Sequence, residues 1–183
     1  MSFHTGQLLL ATPRLVDPNF ARCVIFLLDH DEDGALGVII NRPSQLSVGA
    51  VLPTWSSAVT APPLLFSGGP VSPESALAVG LSLGAGPGEG FKRLTGDVGL
   101  VDLDADPSLV QADLVGLRVF SGYAGWGADQ LESELAEGSW YLVNAVPRDL
   151  LDPEPEGLWR AVLRRQTGEL AYVATFPDDP SLN

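Results

Sequence analysis

One stretch near the middle of the chain, residues 117–138, constrains the fold most strongly, because an apolar strand pattern, closely spaced glycines and a helical pattern follow one another. The alternation of Val115, Leu117 and Val119 predicts a strand that ends near residue 121. The glycines that follow are typical of a loop in which the backbone turns sharply or approaches another segment closely. Leucines at helical spacing then predict a short helix, which Gly138 is suited to terminate.

That predicted loop, residues 122–127, is the first candidate for a functional site, since two large aromatic side chains, Tyr123 and Trp126, lie within it. Its glycines predict a positive φ or a close backbone approach, so Gly125→Val is expected to lower the free energy of unfolding by about 2–4 kcal/mol. The alternative is structural: the glycines let two strand ends pack closely, and the aromatic rings fill the core between them.

The rest of the chain predicts one α+β domain over residues 1–183, without internal repeats. An apolar run at 22–28, an acidic turn at 29–34 and a second apolar run at 35–40 predict a β-hairpin. Asp17 and Pro18 predict the start of a one-turn helix. Further strands are predicted at 7–11, 64–66, 77–83, 91–94, 98–103, 140–146 and 170–176, and further helices at 47–52, 107–110 and 158–165.

The charge balance argues against two classes of partner. The chain has 10 Lys and Arg against 23 Asp and Glu, for a formal net charge of −13. Because phosphate groups are bound by Lys and Arg, we expect neither direct nucleic-acid contact nor association with an anionic membrane. The first residues carry neither a signal-peptide pattern nor a membrane-spanning pattern, which predicts a cytoplasmic protein.

The motifs predict no cofactor and no metal. The spacing Gly122-x-x-Gly125-x-Gly127 matches neither the dinucleotide-binding fingerprint nor a P-loop, and acidic residues at the start of the following helix would oppose a phosphate. Two His and one Cys cannot form a zinc set. Asp29, His30 and the aspartates after them lack the spacing of a calcium loop and favour a solvated turn.

Nucleophilic catalysis has no recognisable motif either. Ser67 and Ser121 each precede a glycine, but neither lies in a G-x-S-x-G elbow. A Ser/His/Asp set that joins either serine to His30 and Asp29 stays open. Cys23 lies within an apolar run, which favours a buried hydrophobe over a nucleophile.

Short motifs spread nearly end to end together resemble the AlgH/YqgE family. They are Gly6-x-Leu-Leu-x-Ala11, Asp17-Pro-x-Phe20, Gly34-Ala-x-Gly37, Asn41-Arg-Pro43, Gly68-Gly-Pro-Val71, Gly122-Tyr-Ala-Gly-Trp126 with Gln130-Leu-Glu132, and Asp179-Pro-Ser-Leu-Asn183. The resemblance implies an α+β fold with a bifurcated, barrel-like, mostly antiparallel β-sheet flanked by short helices. It also implies a bacterial cytosolic protein that is labelled a transcriptional regulator, and it supplies no catalytic residues. The family often carries a His in the strand after its Gly-Gly-Pro, where this chain has Val79 and Gly80.

The function predicted from the sequence is that of a non-catalytic binding or regulatory protein, which acts through a protein partner rather than by direct DNA contact. The alternative is an enzyme that binds a small-molecule ligand in a cleft between residues 67–70 and 122–127, with titratable groups supplied by His30, Glu134 and Arg42. The candidate cleft residues are Ser67, Gly68, Gly69, Ser121, Gly122, Tyr123, Gly125, Trp126, Gln130, Asn41, Arg42 and His30.

Overall fold

A curled ten-stranded sheet in the shape of half a barrel, flanked by short helices, forms the framework of the molecule. The computed structural model describes residues 3–86 and 88–179, so the last four residues of the closing Asp179-Pro-Ser-Leu-Asn183 motif lie outside the described part. The strands are β1 (Gln7–Ala11), β2 (Val24–Asp31), β3 (Gly34–Ile39), β4 (Pro43–Ser47), β5 (Leu64–Ser67), β6 (Val71–Leu81), β7 (Phe91–Thr95), β8 (Val98–Val101), β9 (Gly116–Gly127) and β10 (Trp140–Asn144). The α-helices are α1 (Val48–Val51), α2 (Pro107–Val110), α3 (Gln130–Ala136), α4 (Leu158–Arg164) and α5 (Glu169–Val173).

The sheet divides into two halves at β9. Along its main path the strand order is β10-β1-β2-β3-β9-β6-β8-β7, and β5 and β4 branch from β9. Residues 116–121 and Tyr123 of β9 pair with β6, whereas residues 124–127 pair with β3. Gly122, where φ is +72°, lies two residues before the first residue that pairs with β3. The pairs between the described strands are antiparallel apart from β5 with β9, so the predicted bifurcated, mostly antiparallel sheet is confirmed.

The prediction of a glycine-rich loop at 122–127 is wrong, because this segment is the second half of β9. Ala124 and Trp126 are buried on one face of the strand, while Gly125 and Gly127 are exposed on the other. The two-residue period therefore continues through the glycines. It was hidden in the sequence because a glycine on the solvent face carries no polar side chain that would mark that face.

Three hydrophobic clusters surround the sheet. The largest fills the inside of the half-barrel and is covered by α4, whose Leu158, Trp159, Val162 and Leu163 are buried there. A second lies under α3 and contains Trp126 and Trp140. The third is built around Trp55, which is 1% exposed.

Most of the other predicted elements are present. The β2–β3 hairpin is confirmed, as are helices at 47–52, 107–110 and 158–165. The strand predicted at 170–176 is wrong: Leu170, Val173 and Ala174, at helical spacing, pack on the main cluster as part of α5 and its end. The one-turn helix predicted at Asp17 is present as a hydrogen-bonded turn over residues 18–22. The Asp17 carboxylate caps it by accepting from the Asn19 N–H at 2.8 Å, and the Asp17 carbonyl accepts from the N–H groups of Phe20 and Ala21 at 2.9 and 2.8 Å.

Candidate functional site

The two segments that were expected to border a cleft are in direct backbone contact. The Gly68 N–H donates to the Ser121 carbonyl at 2.9 Å. A Cβ on Gly68 would lie 2.3 Å from the Gly122 carbonyl oxygen, and one on Gly69 would lie 2.1 Å from the Tyr123 carbonyl carbon. The fold thus brings Ser67, Gly68, Gly69, Ser121, Gly122 and Tyr123 together as a tightly packed junction between β5 and β9.

Asn41 and Arg42 lie outside this junction and hold the segment that precedes β2. The buried Asn41 amide accepts from the Val24 N–H at 2.8 Å and donates to the Arg22 carbonyl at 2.9 Å. The Arg42 guanidinium donates to backbone carbonyl groups within residues 18–21. Two motifs that are separate in sequence, around Asp17 and around Asn41, are therefore structural partners.

His30 is buried, with 3% of its surface exposed, and both of its ring nitrogens are occupied. Nδ1 accepts from the backbone N–H of His4 at 3.1 Å, and Nε2 lies 2.8 Å from Oε1 of Glu132. Because a nitrogen that accepts from an N–H cannot itself carry a proton, the geometry assigns the proton to Nε2, which donates to the carboxylate. Neither nitrogen is left to accept a proton from a substrate.

Helix α3 carries a second, partly buried carboxylate contact, this one with the aromatic cluster. Oε2 of Glu134 accepts from the indole N–H groups of Trp126 and Trp140, at 2.9 and 2.8 Å. Gln130 donates to Oε1 of Glu134 at 3.0 Å and accepts from the Gly127 N–H at 3.0 Å. Gln130 thus connects the end of β9 to the start of α3, and Trp126 belongs to the core under this helix.

The candidate titratable groups do not converge on the β5–β9 junction. Glu132 and Glu134, two residues apart on α3, point to different partners, as their spacing predicts. Arg42 is held by backbone carbonyls near the start of β2, and His30 contacts Glu132 instead of either serine. The Ser121 hydroxyl donates to the Pro73 carbonyl.

The sequence reasoning missed Arg118, a fully buried arginine in β9. Its guanidinium donates to the carbonyls of Leu150, Ala61 and Asp152 at 3.0, 2.7 and 2.5 Å and lies 4.6 Å from the Phe66 ring centroid. Burial lowers the pKa of Arg118 to about 10, although the nearby Asp152 opposes the shift. A single arginine inside an apolar strand was the signal that could have marked it as a buried organising group.

The ion pair between Arg165 and the buried Asp149 was also not predicted from the sequence. Asp149 is 1% exposed and receives both terminal nitrogens of Arg165, each at 2.6 Å, together with the Val146 N–H. These hydrogen bonds raise the pKa of Arg165. The pair connects the segment after β10 to the end of α4, so its role in the fold is structural.

Cys23 is fully buried, and burial raises the pKa of its thiol to about 12. The prediction of a buried hydrophobe is confirmed by that placement. Within residues 3–86 and 88–179, no group of three or more His, Cys, Asp or Glu side chains is arranged to hold a metal ion. The acidic turn between β2 and β3 contains an internal hydrogen bond instead, from the Asp33 N–H to the Asp31 carboxylate at 2.9 Å.

A surface groove with a volume of about 500 Å³ lies where β6 extends beyond β8. Its walls are formed by the middle of β6, the start of β7 and the end of β8 with the turn that follows. The lining residues are Ala76, Leu77, Ala78, Gly90, Phe91, Lys92, Leu100, Val101, Asp102, Leu103 and Asp104. None of the residues proposed from the sequence lines it.

The motifs and the sheet agree with the result of comparison with known proteins, in which residues 8–171 match a family model described as AlgH-like. The chain belongs to the AlgH-like family. A UPF0301 protein of Streptomyces coelicolor is 55% identical over 183 residues, covering 98% of this chain and 95% of that protein. A UPF0301 protein of Thermobifida fusca is 49% identical over 188 residues, with coverage of 98% and 95%.

Two solved structures share the AlgH-like fold with this chain. A Corynebacterium diphtheriae protein superposes with a TM-score of 0.90 at 33% identity, covering 96% of this chain and 94% of that one. The AlgH protein of Pseudomonas aeruginosa superposes with a TM-score of 0.71 at 29% identity, with coverage of 96% and 95%. In the described part of this AlgH-like chain, no helix has the length and apolarity that a membrane crossing requires.

Proposed function

We propose that this AlgH-like chain is a non-catalytic binding protein of the cytosol that acts through a protein partner, without direct DNA contact. The observation that carries the proposal is the state of His30, the residue best suited to acid–base catalysis at neutral pH. Both ring nitrogens are engaged, and the ring is 3% exposed. A substrate would have to displace Glu132 or His4 to reach it.

The other candidate groups support the same conclusion. Glu134 already accepts from two indoles, and Arg42 is surrounded by carbonyl groups of its own chain. The Cys23 thiol is buried and has a pKa of about 12, so it forms almost no thiolate at neutral pH. Catalysis would therefore require these side chains to leave the contacts that stabilise the fold.

The distribution of the cations supports a protein partner over DNA. Binding to a phosphate backbone relies on accessible Lys and Arg. Six of the ten Lys and Arg donate to backbone carbonyls or carboxylates of their own chain: Arg22, Arg42, Arg93, Arg118, Arg160 and Arg165. With a net charge of −13, the chain suits a partner surface that carries Lys or Arg.

Cross-linking in living cells of the source organism tests the proposal directly. Cells expressing a tagged chain are treated with formaldehyde, the chain is purified under denaturing conditions, and the product is assayed separately for protein and for nucleic acid. We expect a discrete protein partner, which is then purified and binds the chain in a calorimetric titration. A product that contains nucleic acid and no protein contradicts the proposal.

A charge-reversal variant provides the matched control. Arg148 and Arg164 are exposed cations, and replacing both with Glu leaves the buried contacts untouched. We expect recovery of the protein partner to be unchanged in Arg148→Glu/Arg164→Glu. Loss of recovery together with sub-micromolar, salt-sensitive DNA binding by the parent chain in a gel-shift titration would instead identify a nucleic-acid contact.

A further inference from the structure

The exposed half of β6 borders the groove of about 500 Å³. The strand runs over Val71–Leu81, and β9 pairs with it along most of that length. On its opposite side, β8 pairs only from Ala78 onward. Within residues 3–86 and 88–179 no strand pairs with β6 on that side before Ala78, and the groove of about 500 Å³ occupies this position.

The register fixes which backbone groups face the groove. Ser82 donates its N–H to the Asp97 carbonyl at 2.8 Å, which marks this pair as hydrogen-bonded in the β6–β8 ladder. In an antiparallel ladder every second residue of a strand bonds to the same neighbour, so Gly80 and Ala78 face β8 as well. The next residue in the series is Ala76. Its N–H and C=O point to the place where β8 would continue, and the residue is exposed.

The far wall of the groove is held in place before any ligand arrives. The Trp55 indole donates to the Leu103 carbonyl at 2.9 Å, and the Asp102 N–H donates to the Gly90 carbonyl at 2.9 Å. Oδ1 of Asp102 accepts from the Asp104 N–H at 2.9 Å and closes the turn after β8. A fixed wall reduces the entropy that binding must overcome.

The lining predicts the side chains that an incoming strand would carry. Leu77 and Leu100 belong to the edge of one hydrophobic cluster, and Phe91 and Leu103 belong to the edge of another, so both faces of an added strand would meet apolar surface. The charged lining residues are Asp102, Asp104 and Lys92, which leaves an excess of one negative charge. That local excess has the same sign as the net charge of −13 of the whole chain, and both favour a basic ligand.

We infer that this groove binds an extended peptide segment of a partner protein, with Lys or Arg between apolar residues, which adds as a strand to β6 in line with β8. Strand addition of this kind obtains affinity from main-chain hydrogen bonds and specificity from side-chain pockets. The inference rests on the proposed function and names the surface through which it operates. A second copy of the chain is a poorer occupant, because each copy carries a charge of −13.

A peptide-display selection tests the inference. A library of random linear 12-residue peptides is selected on the folded chain, and the recovered peptide is synthesised with a fluorophore for anisotropy titrations. We expect recovered peptides to be rich in Lys, Arg and β-branched residues. Ala76→Pro removes the N–H that faces the groove and should weaken binding by about tenfold or more. Gln45→Pro, on the exposed edge strand β4, is the matched control and should leave the affinity unchanged.

Two further measurements do not depend on whether Ala76→Pro folds. In the parent chain, hydrogen exchange of the Ala76 amide should slow when the peptide is added. Asp102→Asn/Asp104→Asn keeps the turn acceptor at residue 102 but removes two charges, and it should reduce both the affinity and its dependence on salt.

The possible outcomes distinguish a failure of the inferred peptide-binding groove from a failure of the proposed function. Slowed Ala76 exchange together with sensitivity to Ala76→Pro supports the groove. Unchanged Ala76 exchange, binding that fails in Gln45→Pro, or recovery of no peptide overturns the groove and leaves the proposed function standing. Dimers of the parent chain that dissociate in Ala76→Pro would overturn the choice of occupant. Failure of the in-cell cross-linking to yield a protein overturns the proposed function itself.

Discussion

Nε2 of His30 lies 2.8 Å from Oε1 of Glu132, and this contact connects β2 to α3 across 102 positions of sequence. The histidine is almost fully buried, whereas the glutamate side chain is 32% exposed. Because Nδ1 accepts from the His4 backbone, the ring donates to the carboxylate as a neutral imidazole. The pair is therefore a charge-assisted hydrogen bond that orients α3 on the sheet.

The first prediction concerns the acid side of the stability profile. The pKa of Glu132 is lowered from 4.5, mainly by a hydrogen bond from its own backbone N–H and less by His30, with burial acting in the opposite direction. A carboxylate whose folded-state pKa is lowered stabilises the fold above its ordinary pKa, and that stabilisation is lost as pH falls through the lowered value. The melting-temperature gap between the parent and Glu132→Gln should be largest near pH 7 and close as pH falls below 4.5.

Glu137→Gln is the control for this prediction, since Glu137 is an exposed carboxylate that follows the same helix. It should melt close to the parent at every pH. Thermal melts followed by circular dichroism from pH 7 to pH 3 measure the two gaps. A gap for Glu132→Gln that stays constant over this range would show that the charge of Glu132 makes no contribution.

The second prediction concerns the two indoles that share one carboxylate. Glu134→Ala leaves the buried N–H groups of Trp126 and Trp140 without their acceptor, which should lower the free energy of unfolding by about 1–3 kcal/mol. Glu134→Gln retains a carbonyl acceptor and should cost less. Urea unfolding followed by tryptophan fluorescence measures both, with Glu137→Ala as the exposed control, for which a loss below about 0.5 kcal/mol is expected. Equal losses for Glu134→Ala and Glu137→Ala would contradict the shared-acceptor account.

The sequence was informative where a local pattern decides the structure. The apolar runs on either side of the acidic turn predicted the β2–β3 hairpin, and Ser47 and Asp106 cap α1 and α2 as their residue types favour. The pattern failed in β9, where exposed Gly125 and Gly127 resemble a loop in sequence. The partners of Arg118 could not be predicted from the sequence either, because they are carbonyl groups that only the tertiary fold brings together.

For the candidate site, the sequence correctly predicted that the segments around Gly68 and Gly122 lie close together, but it wrongly predicted a cleft between them. Gly68, Gly69 and Gly122 do approach one another, as closely spaced glycines predict, yet they meet in backbone contact. The groove beside β6 was not predicted from the sequence. It exists because β8 is shorter than β6 and, in the described part of the chain, leaves the first part of β6 without a partner on that side. The length difference between two paired strands cannot be read from either strand alone.

The third prediction concerns the buried guanidinium of Arg118. A lysine ends in one compact ammonium instead of a planar guanidinium, so it cannot donate in the same geometry to three carbonyls from separate segments. Arg118→Lys should lower the free energy of unfolding by about 2–4 kcal/mol, because buried carbonyls lose their donors. Arg164→Lys, at an exposed position of α4, is the control and should change stability by less than about 0.5 kcal/mol. Similar urea midpoints for the two variants would contradict a stabilising role for the three carbonyl contacts of Arg118.

The last prediction concerns the β5–β9 junction and revises the expectation for Gly125. Gly125 has no positive φ, is exposed, and a Cβ there would meet nothing closer than the Tyr123 ring at 3.6 Å. The strain that the sequence placed at Gly125 belongs to Gly122, where φ is +72° and a Cβ would lie 2.5 Å from the Gly69 carbonyl oxygen and 2.8 Å from that of Val71.

Gly122→Ala should therefore lower the free energy of unfolding by about 2–4 kcal/mol, combining a left-handed backbone with a clash that only a main-chain shift can relieve. Gly125→Val should stay within about 1 kcal/mol of the parent, because a β-branched residue suits an exposed strand position. Urea melts of the two variants side by side measure the difference. If Gly125→Val is the more damaging change, the second half of β9 is not the strand described here. If both variants melt like the parent, the junction tolerates a shift of its main chain, and the contact between Gly69 and Gly122 does not fix how β5 packs on β9.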